Sequence, residues 1–415
     1  MKKNLNAQID NTMKIFIAIG LLCAGIIAFL QPQVHAQEKS FTVSGEIKNL
    51  EPQTMRIVIK DKSAPRGSRT EEIQVKKDGS FSYSGKIEGI EVISFGSRKL
   101  GFNGPKFQFI GSPGADVHFT GAIRDGKIDA YPSGDQANDD LARLNKKLFP
   151  LMNKKSKIAR RKRGKVKTSI KEVPSGFKSV TTYNSKEDSI QVQKINQAIE
   201  QINDKMLETK KQFVHDNPSS IVSAWLLSDM MVHIQISDER ATNLFNRMDG
   251  NKLAGIPFYE EVAQRISGIK ATEIGSPAPK VNTTNTYSGD RFDLASLRGK
   301  YVVIDFWGPW CMPCVKELPL LKEYREKYGD KLEIVGIGSE SDQGERWRKF
   351  LDNHPEYDWP QIFSRSEQDY VLKFNVQGFP TNIIIDPEGN IVGRYVGFEG
   401  EHEGLYAKLD ELLEE

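Results

Sequence analysis

The run Trp307-Gly308-Pro309-Trp310-Cys311-Met312-Pro313-Cys314 stands where an apolar strand-like stretch, Tyr301-Val302-Val303-Ile304, gives way to a helix-like one. A strand that turns into a helix across two thiols ties the local fold to a reversible dithiol centre. With two residues between them, both sulfurs fall on the first turn of one helix, where a disulfide closes with little backbone movement. The first thiol also sits at the positive end of the helix dipole. Cys311 is therefore expected to be the partly exposed, low-pKa nucleophile. Cys314, one turn in and facing the core, is expected to be the resolving thiol that attacks a mixed disulfide and frees the reduced partner. Half of a zinc site is the competing reading, but it needs two further ligands. The histidines His118, His215, His233, His354 and His402 are scattered without ligand spacing and read as structural, so no metal or cofactor is expected.

The chain has three cysteines, and the remaining one, Cys23, lies in the apolar run 15–30. Lys2, Lys3 and Lys14 precede that run and Val34-His35-Ala36 follows it, the flanks of a secretory signal cleaved after Ala36. The run is shorter than the roughly 20 apolar residues of a membrane span. Leu22, bulky where a lipidated cysteine wants a small neighbour, argues against lipid attachment at Cys23. Residues 1–36 are thus expected to be a signal peptide, with an uncleaved anchor as the alternative, and the periplasm or cell envelope is the expected location. Lys2, Lys3 and Lys14 against Asp10 place two of the three net positive charges in this leader. The nearly neutral remainder suggests neither nucleic acid nor an acidic membrane surface as partner.

Roughly 380 residues beyond the leader are too many for one ordinary domain of about 100 to 200 residues. Between 41 and 120, Phe41/Val43, Met55/Ile57/Ile59, Ile73/Val75, Phe81/Tyr83 and Phe107/Phe109 alternate with polar residues, and Asp78-Gly79 reads as a hairpin turn. A small all-β sandwich or barrel is expected over 37–130. From 131 to 270 the spacing turns helical, with Ile195, Ile199, Ile202 and Met206 on one face and a helix announced by Asn217-Pro218-Ser219 ahead of Ile221, Val222, Trp225 and Leu226. Within this spacer, residues 154–167 are dense in Lys and Arg and read as a mobile, solvated loop. Nucleic-acid binding there lacks interleaved aromatics. Residues 271–415 follow an α/β order: the strand at 301–306, the cysteine helix, a strand at 332–337, a helix carrying Trp347, Phe350 and Leu351, a hairpin about Pro387-Glu388-Gly389-Asn390, and a closing helix with Leu405, Leu409 and Leu412. That order predicts a mixed four- or five-stranded sheet with helices on both faces.

These last 140 residues resemble a thioredoxin-fold domain of the TlpA/ResA type, within the AhpC/TSA redoxin group. The matching residues are Gly275-Ser276-Pro277-Ala278-Pro279, the Trp-Cys-x-Pro-Cys centre, Pro319 in the following helix, and Gly378-Phe379-Pro380-Thr381. The segment from about 38 to 270 resembles, more weakly, the β-rich domain of unknown function and helical linker that precede such modules in envelope proteins of Gram-negative bacteria. The resemblance implies a cis peptide before Pro380, abutting the disulfide, and a Phe379 backbone that pairs with an extended client next to Cys311. It implies a buried carboxylate at Asp305, beneath the second cysteine, that takes the proton of Cys314. Glu317 matches the glutamate that ResA-type reductases use near their centre. Such sequences usually lack an acid at the Asp305 position, so the division of labour between the two stays open, and a satisfied strand-end aspartate and a solvated first-turn glutamate are the plain alternatives. Trp310, with Phe379 and Pro380, is expected to contact client, and Trp307 either to join that surface or to be core.

The expected function is an envelope thiol–disulfide oxidoreductase that reduces disulfide-bonded client proteins and is recharged by a membrane thiol electron donor, cytochrome c maturation being one family setting. A thiol peroxidase is the second reading, although Gly308 stands where peroxiredoxins place a threonine three residues before the reactive cysteine. The third is a partner-binding module over 41–270 with an accessory redox centre.

Overall fold

The computed structural model describes residues 39–414 apart from 61–67, 101–105, 174–175, 341–343, 366–367, 399 and 401–402. The expected signal peptide with Cys23, and His402, lie outside the described residues.

Eight strands come first: β1 (Ser40–Lys48), β2 (Gln53–Lys60), β3 (Ser68–Val75), β4 (Ser80–Lys86), β5 (Glu91–Gly96), β6 (Phe107–Gly111), β7 (Asp116–Arg124) and β8 (Lys127–Ser133). They form two four-stranded sheets, β4-β1-β7-β8 and β3-β2-β5-β6. The alternation along each strand turns one row inward, Phe41, Val43 and Ile47 from one sheet and Met55, Ile57 and Ile59 from the other, and the two rows share a core. Phe95 stacks on Phe107 at 5.0 Å, and Phe119 meets both edge-on at 5.5 Å. The unit is therefore a sandwich, not a barrel. The Asp78-Gly79 turn forms, with Gly79 at φ +80° and its amide on the Lys76 carbonyl, but it is not the expected hairpin. It joins β3 of one sheet to β4 of the other, because Val75 and Phe81 must face the same core from opposite sides.

The helical region holds α1 (Gln136–Ala159), the strands β9 (Val166–Val173) and β10 (Gly176–Tyr183), α2 (Lys186–Asp216), α3 (Ile221–Val232), α4 (Asp238–Phe245), α5 (Gly250–Leu253) and α6 (Pro257–Ala271). Asp135 caps α1 by accepting from the Asn138 amide. Asn138 in turn exchanges hydrogen bonds with both backbone groups of Ile110, fastening α1 to the sandwich edge. On α2, Ile202 is buried as expected, while Ile195, Ile199 and Met206 are half-buried. The cap of α3 is Ser220, one residue beyond the predicted signal. The basic run 154–167 is not a loop. It continues α1, passes through the 3-10 turn Arg160–Lys162 and enters β9, which pairs antiparallel with β10. Lys and Arg are good helix formers and favour a helix C-terminus, so charge density there does not argue for a loop.

The last region contains the short pair β11 (Asn282–Thr283) and β12 (Phe292–Asp293), then β13 (Tyr301–Trp307), α7 (Met312–Tyr328), β14 (Leu332–Gly338), α8 (Glu345–Asp352), β15 (Gln361–Phe363), α9 (Tyr370–Lys373), β16 (Thr381–Ile385), β17 (Ile391–Val396) and α10 (Leu405–Leu413). Its sheet runs β15-β14-β13-β16-β17, with β13 parallel to β14 and antiparallel to β16. This is the thioredoxin fold. β15, only three residues long, carried too little pattern to be read from sequence. β13 is central and covered on both faces: Val303 and Trp307 pack with α7 and α10, and Val302, Ile304 and Phe306 pack on the opposite side.

Candidate active site

β13 delivers the chain to the site, and Gly308 lets it turn. A Cβ on Gly308 would stand 2.6 Å from Trp310 Nε1 and 2.9 Å from the Ser339 carbonyl oxygen. With no side chain there, the Trp310 indole donates to that carbonyl at 2.9 Å. Cys311 then caps α7, its Sγ accepting from the Cys314 amide at 3.2 Å. The two cysteines are joined as a disulfide with Cα atoms 5.3 Å apart. Cys311 retains 5 % exposure and Cys314 1 %, so the first thiol is the more accessible but, in the disulfide state, is not partly exposed as expected. Phe379 packs against the buried cluster that contains both cysteines, and the Trp310 indole meets that phenyl ring.

Those rings form a rim. Trp310, half exposed, sets its ring edge-on to Phe379 at 5.1 Å, and the Phe379–Pro380 bond is cis. Phe379 is half-buried and Pro380 buried. Met312 and Val396 add exposed apolar surface, and neither was picked out from sequence. Trp307 belongs to the core instead: it is fully buried and donates to Gln361 Oε1 at 3.2 Å.

Two acids lie close together between β13 and α7. Strand alternation puts Asp305 on the face of β13 shared by Val303 and Trp307, the face that α7 covers. Asp305 is 1 % exposed, and its Oδ1 has no hydrogen-bond partner. Burial pushes its carboxyl well above the ordinary range, and the neighbouring Glu317 charge adds to the rise. Glu317, one turn past Cys314 on α7, is also buried, so the solvated-glutamate alternative fails. Asn382 Nδ2 donates to both its oxygens at 3.1 Å and Tyr406 OH to one of them at 3.3 Å. Burial raises Glu317 to about 7 against the pull of these two donors. Asp305, with no partner at Oδ1, is the better holder of a shared proton. A cavity of about 190 Å³ lined by Glu317, Arg394, Tyr395, Glu403 and Tyr406 lies between β17 and the start of α10. Asp305 does not line it.

Sequence reasoning missed Asn382, Tyr406 and Arg394. Asn382 carried a signal, being polar inside the buried run Thr381-Asn382-Ile383-Ile384-Ile385, and it lies directly across from Asp305 in the ladder. Tyr406 had none. Among the described residues no cluster of His, Cys, Asp and Glu could hold a metal ion.

A family model described as thioredoxin-like matches residues 299–391. The chain is 30 % identical over 158 residues to the thioredoxin-like protein YneN of Bacillus subtilis, spanning 38 % of this chain and 88 % of that protein. It is 32 % identical over 140 residues to the thiol–disulfide oxidoreductase ResA of Bacillus thuringiensis, spanning 33 % and 79 %. Among solved structures, the thioredoxin domain of a thiol–disulfide oxidoreductase from Bacteroides vulgatus is 29 % identical, covering 34 % of this chain and 98 % of that one, with a TM-score of 0.29.

Proposed function

Because the chain belongs to the thioredoxin-like family that includes the ResA-type thiol–disulfide oxidoreductases, we propose that it works in the cell envelope as a reductant of disulfides in client proteins. The observation that carries this reading is the position of the disulfide, which caps α7 beside the exposed apolar rim of Trp310, Met312, Phe379 and Val396. In the reduced protein, Cys311 thiolate attacks one sulfur of a client disulfide, and the other client sulfur leaves as a thiolate. The helix N-terminus and the Cys314 amide favour that Cys311 thiolate. Cys314 then attacks Cys311 Sγ, releases the second client thiol and closes the disulfide, so two electrons pass to the client.

Asp305 manages the proton of Cys314. As carboxylate it takes the proton when Cys314 attacks, and as the acid held by burial it returns the proton when a donor thiol reopens the disulfide. Glu317 links this compartment to the water-accessible cavity. A membrane-bound dithiol would supply the electrons, since a dithiol stays reduced in an oxidising compartment only while a donor feeds it. Cytochrome c maturation is one setting for such a reductant.

Trapping tests the reading. A Cys314→Ala variant should stall as a mixed disulfide on Cys311 and bring its client down covalently, while Cys311→Ser should trap nothing. Equal adduct yields from both would overturn the assignment of attack and resolution, and peroxide consumption without insulin reduction would move the chain to the peroxidases.

A further inference from the structure

The segment that ends in Phe379–Pro380 is gripped from outside its own sheet. α6 packs against α9, and Gly268 on α6 has no room for a side chain: a Cβ there would lie 2.7 Å from the Leu372 carbonyl oxygen and 3.0 Å from the Asn375 amide nitrogen. About one turn earlier on the same helix, Arg265 is 6 % exposed, donates Nη1 to the Val376 carbonyl at 3.3 Å and keeps Nε on Glu261 at 3.1 Å. From the other side, Arg394 of β17 donates to the carbonyls of Phe374 and Asn375 at 2.9 and 2.7 Å. Three consecutive carbonyls thus each receive a guanidinium, the third from the helical region. Asn375 holds φ +47°, a turn that costs backbone energy and needs such support. The next residue but one, Gln377, donates to Asp238 at the start of α4 at 3.3 Å. Two residues on, Phe379 meets Trp310.

We propose that Arg265 and Asp238 are positioning residues of the redox site, and that the helical region, through residues 374–378, sets the face that Phe379 presents to a client. The inference rests on the client reduction proposed above. A buried guanidinium shared between one carboxylate and a loop carbonyl is costly to unpair, so removing it releases the loop instead of letting the arginine find another partner. Attack by Cys311 uses groups on α7 that Arg265 does not touch. Client affinity, not chemistry, should therefore change.

The test uses the full chain in dithiothreitol-driven insulin reduction. Arg265→Met should raise KM about fivefold with kcat within about twofold, Arg265→Lys should recover most of the loss, and Gln377→Ala, at an exposed hydrogen bond, should raise KM by less. Amide exchange over 376–381 should quicken in Arg265→Met. If that variant does not fold, Gln377→Ala carries both readouts. Unchanged KM, a fall in kcat at constant KM, or unchanged exchange overturns the proposal. Wild-type protein that leaves insulin intact while exchange still quickens sinks client reduction but leaves the grip on the loop standing.

Discussion

Asp305 and Glu317 are two acids in one buried compartment, and their hydrogen-bond partners are unequal. Glu317 has Asn382 and Tyr406 as donors, whereas Asp305 Oδ1 has no partner. Asp305→Asn should leave the first attack by Cys311 intact and slow client release near neutral pH, because the resolving thiol loses its base. Stopped-flow fluorescence reporting on the half-exposed Trp310 separates the two steps. A second step slowed by Glu317→Gln but not by Asp305→Asn would move the role to Glu317. The same acids give stability a pH slope. Both bind protons more tightly in the folded chain than in the unfolded one, so their contribution is full only below their ordinary values, 3.8 for Asp305 and 4.5 for Glu317, and falls as pH rises towards the folded value, about 7 for Glu317. Urea unfolding at pH 5 and pH 7.5 should show this in the disulfide form of the wild type and a nearly flat profile in the Asp305→Asn/Glu317→Gln double variant. A double variant as pH-sensitive as the wild type would rule the pair out as its source.

At the scale of elements, the junction of β13 and α7 decides the chemistry. The helix offers its N-terminal amides to Cys311, which favours the thiolate, while the residues between the cysteines set how far. Met312-Pro313 brings no cation into that gap, in contrast to the histidine of strongly oxidising DsbA-like centres. The expected potential is closer to roughly −270 mV, as in thioredoxin, than to roughly −120 mV, as in DsbA. Equilibration against glutathione measures it, and a value near the latter would make the protein an oxidant of thiols. The junction was legible in the sequence because each piece is local: apolar β-branched residues, Gly and Pro at the turn, two thiols one turn apart. The basic run 154–167 misled for a complementary reason. Its polarity fits a solvated loop and a solvated helix end equally well, and only continuity with α1 and pairing of β9 with β10 separates them.

Across the whole molecule, the sandwich core of stacked phenylalanines is distinct from the two cores on either side of the sheet that holds the cysteines. Phe95→Ala, which removes contacts to Phe81, Phe107, Phe109 and Phe119, should destabilise the sandwich by about 3–5 kcal/mol. The redox potential should not move, because none of those rings belongs to the cores around the disulfide. A shifted potential would show that the cores are coupled. The sequence by itself determined what depends on neighbours along the chain: the alternating strands, the amphipathic helices, the strand-to-helix dithiol junction and, through its motifs, the thioredoxin fold. Tertiary structure alone decided what depends on neighbours in space. It put Trp307 in the core and Trp310 in the rim, although both are tryptophans beside the same cysteines. It closed Asn382 and Tyr406 over Glu317, residues 65 and 89 positions further along the chain. It sent the Asp78-Gly79 turn across two sheets, because a turn fixes the direction of the chain for four residues but burial decides which sheet the next strand joins.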